Sequence, residues 1–146
     1  MFHIQYYYPE FIKPLIGSDK FNVNIQNNNG KTIFHIFSYP SILTASIKKG
    51  FDCNLQDSDG NTIFHFYDYC SYLKKVLENN LFDINCKNNS GNTIFHNNSL
   101  SNKIALGKKY GFDSNSRNNN GDTIFHNGYH SNKLKQFLTR NFNINA

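Results

Sequence analysis

The amino-acid sequence predicts an all-α solenoid of stacked helix-turn-helix units joined by hairpin-like loops, and three observations carry that prediction. The phrase Gly-X-Thr-Ile-Phe-His occurs four times, at residues 30–35, 60–65, 91–96 and 121–126, with its glycines 30, 31 and 30 residues apart. A second phrase, Phe followed by Asn or Asp, any residue and Asn, occurs five times, at residues 21–24, 51–54, 82–85, 112–115 and 142–145. Each period then carries an apolar stripe at helical spacing that one unit is too small to bury, so neighbouring units must stack.

Taken in order, residues 1–20 are expected to form an N-terminal half-repeat or cap, because Tyr8-Pro9 precedes Phe21 much as Tyr39-Pro40 precedes Phe51. Repeats follow at 21–50, 51–81, 82–111 and 112–141, with a remnant at 142–146, the whole of 1–146 making one domain. Within a repeat, Asn29-Gly30, Asp59-Gly60, Ser90-Gly91 and Asn120-Gly121 are tight-turn signals, since Gly accepts positive φ and Asn or Asp tolerates it. Thr32, Thr62, Thr93 and Thr123 are placed to cap a short helix, and His35, His65, His96 and His126 stand three residues on, able to reach back to the cap. These eight residues are assigned a structural role. A second helix is expected around Leu43, Leu73, Ile104 and Leu134, with Ile47, Leu77 and Leu138 one turn later and Lys108 breaking the pattern in the third repeat. Lysines flank that stripe, giving a basic outer side.

This arrangement resembles the ankyrin repeat. The family's Thr-Pro-Leu-His appears as Thr-Ile-Phe-His, and its Gly-Ala-Asp-Val-Asn as Gly50-Phe51-Asp52-Cys53-Asn54 or Leu81-Phe82-Asp83-Ile84-Asn85. The likeness covers residues 21–146. Two departures matter. The period is short of the usual value of about 33 residues, which calls for a tight inter-helix turn or a shortened helix. Ile33, Ile63, Ile94 and Ile124 replace the helix-starting proline, which removes a pre-set φ. Asn-rich chains of this look resemble the divergent ankyrin proteins of large DNA viruses of amoebae and of A/T-rich protists.

Composition bounds the function. An aromatic share of 16% supplies surface for a core. Residues 1–73 hold five Lys/Arg against six Asp/Glu, whereas 74–146 hold ten against four, so the C-terminal half is basic. Neither a signal-peptide pattern nor a membrane span is present, so a soluble, cytoplasmic protein is expected, within a host cell if the viral likeness holds. Cys53, Cys70 and Cys86 do not recur at matching positions and read as reduced thiols. No nucleophile elbow, zinc-protease helix, phosphate loop or recurring carboxylate pair occurs, so no enzyme and no cofactor are expected. Four histidines one repeat apart would lie roughly 10 Å from one another, too far to share a metal. The final residues, with Lys133, Lys135, Gln136, Thr139 and Arg140, are expected to form a polar capping helix.

The resemblance implies binding through loop tips and inner helices, the concave surface of such stacks. At the tips it points to Asn28, Asn29 and Lys31; Ser58, Asp59 and Asn61; Asn89, Ser90 and Asn92; and Asn119, Asn120 and Asp122. On the inner helices it points to Phe37, Tyr39, Tyr67, Tyr69, Asn98, Leu100, Tyr129 and His130. For each aromatic, burial between repeats and exposure in the groove both remain open, and each tip residue has an ordinary solvated-turn reading beside the binding one. The loop asparagines Asn24, Asn54, Asn85, Asn115 and Asn145 satisfy turn backbone in this reading, and in the family such residues are also hydroxylated. A non-catalytic protein-binding module is therefore the leading expectation, as scaffold, decoy or adaptor. The alternative is electrostatic binding of nucleic acid or an acidic surface through Lys103, Lys108, Lys109, Arg117, Lys133, Lys135 and Arg140.

Overall fold

A computed structural model describes residues 9–37, 40–67, 70–96 and 101–126. Among these residues the chain runs through α1 (Pro9–Gly17), α2 (Ile33–Ile36), α3 (Pro40–Lys48), α4 (Ile63–Phe66), α5 (Cys70–Glu78) and α6 (Ser101–Lys109). The connecting loops contain one isolated antiparallel bridge, Lys87 to Thr93.

The helix that follows the capping threonine is one turn long. α2 and α4 have four residues each, and this brevity lets two helices and a loop fit into a 30-residue interval. Residues 94–96 and 124–126 form a turn where a helix was expected. The difference follows the sequence downstream. Ile36-Phe37 and Phe66-Tyr67 extend the first two copies, whereas Asn97-Asn98 and Asn127-Gly128 follow the last two. Asn competes with the helix for backbone partners, and Gly has too much freedom to lose.

The second helices α3, α5 and α6 have nine residues each and end alike. The N–H groups of Phe51, Leu81 and Phe112 donate to the carbonyls of Ser46, Val76 and Gly107 at 2.9, 2.8 and 3.0 Å, the bond that closes a left-handed C-cap. Asn80, at φ 54°, therefore stands where Gly50 and Gly111 stand in the neighbouring units. Leu81, aligned with Gly50 by sequence, is instead the extra residue that makes the middle interval 31 long, and it is 45% exposed.

The two repeated phrases meet in the core. Phe34 packs on Phe51, Phe64 on Phe82 and Phe95 on Phe112, with ring centroids 4.6, 4.7 and 3.9 Å apart. The third pair is closest because Gly107 of α6 offers no side chain, and Phe95 presses to within 2.5 Å of where a Cβ would stand. Ile42, Leu43, Leu73, Val76 and Ile104 of the second helices complete the same apolar cluster. Burying each such side chain is worth about 1.5–3 kcal/mol. Like elements lie side by side: α1 against α3, α2 against α4, α5 against α6.

Candidate functional site

His35, His65 and His96 each join their own unit to the next. The N–H groups of Thr32, Thr62 and Thr93 donate to Nδ1 of His35, His65 and His96 at 3.1, 3.1 and 3.0 Å, and the threonine hydroxyls lie 2.8, 3.0 and 2.9 Å from the same nitrogen. An accepting Nδ1 assigns the ring proton to Nε2, which then donates to the carbonyls of Asn61, Asn92 and Asp122 at 3.0, 3.0 and 3.1 Å. Burial holds the pKa of all three below the ordinary imidazole value, partly offset by the carbonyl each ring contacts. A protonated Nδ1 would face the threonine N–H donor to donor, so the geometry requires neutral rings. His126 repeats the local half of the arrangement, with the Thr123 N–H donating to Nδ1 at 3.0 Å, and its ring is exposed.

The loops are cross-linked by amides. Asn24, Asn54 and Asn85 each donate to the last carbonyl of their own unit, those of Gly50, Leu81 and Gly111, at 2.9, 3.0 and 3.1 Å, at the junction with the next. Their Oδ1 atoms accept from the N–H of Asp52, Asp83 and Asp113 at 2.8, 2.9 and 3.1 Å. Beside them, Gln26, Gln56 and Lys87 donate to the carbonyls of Gln56, Lys87 and Arg117 at 2.9, 3.1 and 2.8 Å. At the tips, the N–H groups of Ser58, Asn89 and Asn119 donate to the carbonyls of Asn29, Asp59 and Ser90 at 2.9, 2.9 and 3.0 Å.

These bonds use many of the tip residues singled out in the sequence. The Asn89 and Asn119 side chains donate to the carbonyls of Ser58 and Asn89. Asn61 and Asn92 accept from the Asn88 and Asn118 amides at 2.7 and 2.9 Å, and Lys31 lies 4.0 Å from the Asp57 carboxylate. The side chains of Asn28, Asn29, Ser58, Asp59, Ser90 and Asn120 stand on exposed residues at the outer edge, and Asp122 is half-buried. On the inner side Phe37 and Tyr67 are half-buried. The Tyr67 hydroxyl lies 3.2 Å from the Ile36 carbonyl of the preceding unit. Tyr39, Tyr69, Asn98, Leu100, Tyr129 and His130 lie outside the described residues, as do Lys133, Lys135 and Arg140.

Some residues escaped the sequence reading. Ile36 and Phe66, at the same place in consecutive units, are 46% and 42% exposed. Phe66 meets the His35 ring edge-on at 6.1 Å and carries Lys31 Nζ over its face at 5.5 Å. Their place directly after the first two repeat histidines, where the last two are followed by Asn97 and Asn127, was the available signal. Asn27, Asp57, Asn88 and Asn118, three residues before each turn glycine, accept two N–H bonds apiece within their own turn, all at 2.9 or 3.0 Å. Lys103, expected on a basic face, is instead 4% exposed and donates to the Phe64 carbonyl at 3.2 Å. It occupies the place of Ile42 and Tyr72, so its stem replaces apolar packing while its ammonium reaches a carbonyl of α4.

The thiols of Cys53 and Cys86 are pushed up to about 12 by burial, which removes them as nucleophiles. No group of three or more His, Cys, Asp or Glu among the described residues is arranged to hold a metal ion, and none of the described helices is long and apolar enough to cross a membrane. No protein-family model matches this chain, and no curated protein sequence matches it.

Proposed function

We propose that the chain is an ankyrin-type repeat stack acting, without catalysis, as a protein-binding scaffold, decoy or adaptor in the cytoplasm. The partner docks on the inner side of the first two units, where α2 and α4 end. The observation that carries this reading is the pairing of Ile36 and Phe66: large apolar side chains left exposed at matching positions, beside the half-buried Phe37 and Tyr67. Aromatic and aliphatic anchors of this kind supply most binding energy in protein interfaces. The side-chain amides of Asn61, Asn89, Asn92 and Asn119, by contrast, are spent between units and add rigidity to the platform. Binding to nucleic acid has weaker support, because Lys103 is buried and the Arg117 guanidinium donates to the Gly121 carbonyl at 2.6 Å.

The test is affinity capture from cell extract with the wild-type chain and with the I36S/F66S variant, after circular dichroism has shown that both fold. A saturable partner lost by the variant supports the reading. A partner retained in full by the variant, or binding that appears only with nucleic acid and fades with salt, removes it.

A further inference from the structure

The dipeptide Asn-Gly occurs at two of the four tips, Asn29-Gly30 and Asn120-Gly121. Both asparagines are exposed, and both glycine N–H groups close the same turn, donating to the carbonyls of Asn27 and Asn118 at 2.9 and 3.0 Å. The surroundings differ. The Asn29 carbonyl accepts the Ser58 N–H at 2.9 Å, and Gly30 lies so close to the second tip that a Cβ there would stand 3.0 Å from the Asp57 Cα and the Ser58 nitrogen. Among the described residues the Asn120 carbonyl has no such donor, and nothing lies within 4 Å of a Cβ built on Gly121.

We propose that Asn120 is a site of spontaneous deamidation and that the identical dipeptide at Asn29 is protected by the neighbouring tip. In this reaction the Gly121 backbone nitrogen, on losing its proton, attacks Cγ of Asn120. A C–N bond forms to close a succinimide ring, the bond to the side-chain nitrogen breaks, and ammonia leaves with the proton. Water then opens the ring at either carbonyl, leaving aspartate or isoaspartate, with no oxidant or reductant involved. To reach Cγ, the glycine nitrogen must give up its turn bond and the Asn–Gly peptide plane must rotate, which carries the asparagine carbonyl with it. At Asn29 that rotation also breaks the bond from Ser58 and pushes against packed backbone, whereas at Asn120 only the turn bond opens. One additional bond of about 1.4 kcal/mol slows a step by about tenfold. Conversion at Asn120 adds a negative charge beside Asp122 at the fourth tip, and the isoaspartate product lengthens the backbone there, so the fourth tip acquires an age-dependent change that the first is spared.

The experiment incubates the purified folded chain in mildly alkaline buffer and assigns the acid-for-amide mass change to Asn29 or Asn120 by peptide fragmentation, which separates Asn120 from the Asn127-Gly128 dipeptide on the same stretch of chain, with site-resolved isoaspartate methylation as a second readout. A parallel sample is held unfolded in urea. The expected result is that Asn120 converts about tenfold faster than Asn29 in the folded chain and that the two rates converge in urea. Equal rates in the folded chain would overturn the proposal, and so would an Asn120 that stays intact when folded while reacting in urea.

Discussion

Asp57 puts a buried carboxylate where the other three turns carry an amide. One of its oxygens accepts the Asp59 and Asn61 N–H groups at 3.0 and 2.9 Å, and the other has no hydrogen-bond partner and faces Lys31 at 4.0 Å. D57A strips two turn donors of their acceptor and is expected to cost about 2 kcal/mol in urea unfolding. Replacing both partners, as K31N/D57N, recreates the amide pair found between Asn61 and Asn88, and is expected to be more stable than D57N alone. Gly60 illustrates a different constraint. Its φ is 76°, and a Cβ would stand 2.7 Å from the Asn89 nitrogen, whereas Gly50 at φ 89° has open space around it. Gly50→Ala should therefore cost only the backbone strain, about 1–2 kcal/mol, and Gly60→Ala measurably more in the same denaturation experiment.

The one-turn helices are held by their ends. Thr62 and His65 satisfy each other at the start of α4, and Nε2 of His65 reaches the Asn92 carbonyl of the next loop. Because desolvation lowers the pKa of His35, His65 and His96 in the folded chain, the unfolded chain binds more protons just below the ordinary value of 6.5. Their contribution to stability is complete above that pH and is lost as the pH falls from it towards the lowered native values. Each ring contributes at most about 1.4 kcal/mol per pH unit within that window. The urea midpoint is expected to drop between about pH 7.5 and about pH 5.5, and H65Q should flatten the dependence by one ring's share. On α6, Gly107 has no room for a methyl group against Phe95, and Gly107→Ala is expected to cost about 1–3 kcal/mol by thermal unfolding.

At the scale of the molecule, the bonds between units among the described residues run from one unit to the next: histidine to loop carbonyl, loop backbone to loop asparagine, tip to tip. Nearest-neighbour coupling of this kind makes local opening independent at a distance. H96Q is expected to speed amide hydrogen exchange in residues 112–126 and to leave Phe34 and His35, two units away, unchanged. Uniform acceleration along the chain would mean that coupling extends beyond neighbours. I36S removes an exposed aliphatic side chain and should lower stability by about 0.5 kcal/mol or less, whereas F66S also loses the His35 and Lys31 contacts and should cost about 1 kcal/mol, both read from urea unfolding.

The repeat was legible in the sequence because its signals are local. A glycine at positive φ, a threonine before a helix and a histidine three residues later each act within a few residues, so a linear reading places them. The partners across units were not legible, because the amide that bonds Asn54 to Asp83 or Asn88 to Asn61 depends on how two loops are laid together. Which of the recurring polar residues are spent on that contact, why Lys103 is buried, and why Asn80 takes the place of a glycine were all decided by packing in three dimensions. So was the emergence of Ile36 and Phe66 as the exposed apolar pair, since burial depends on which neighbour arrives to cover a side chain.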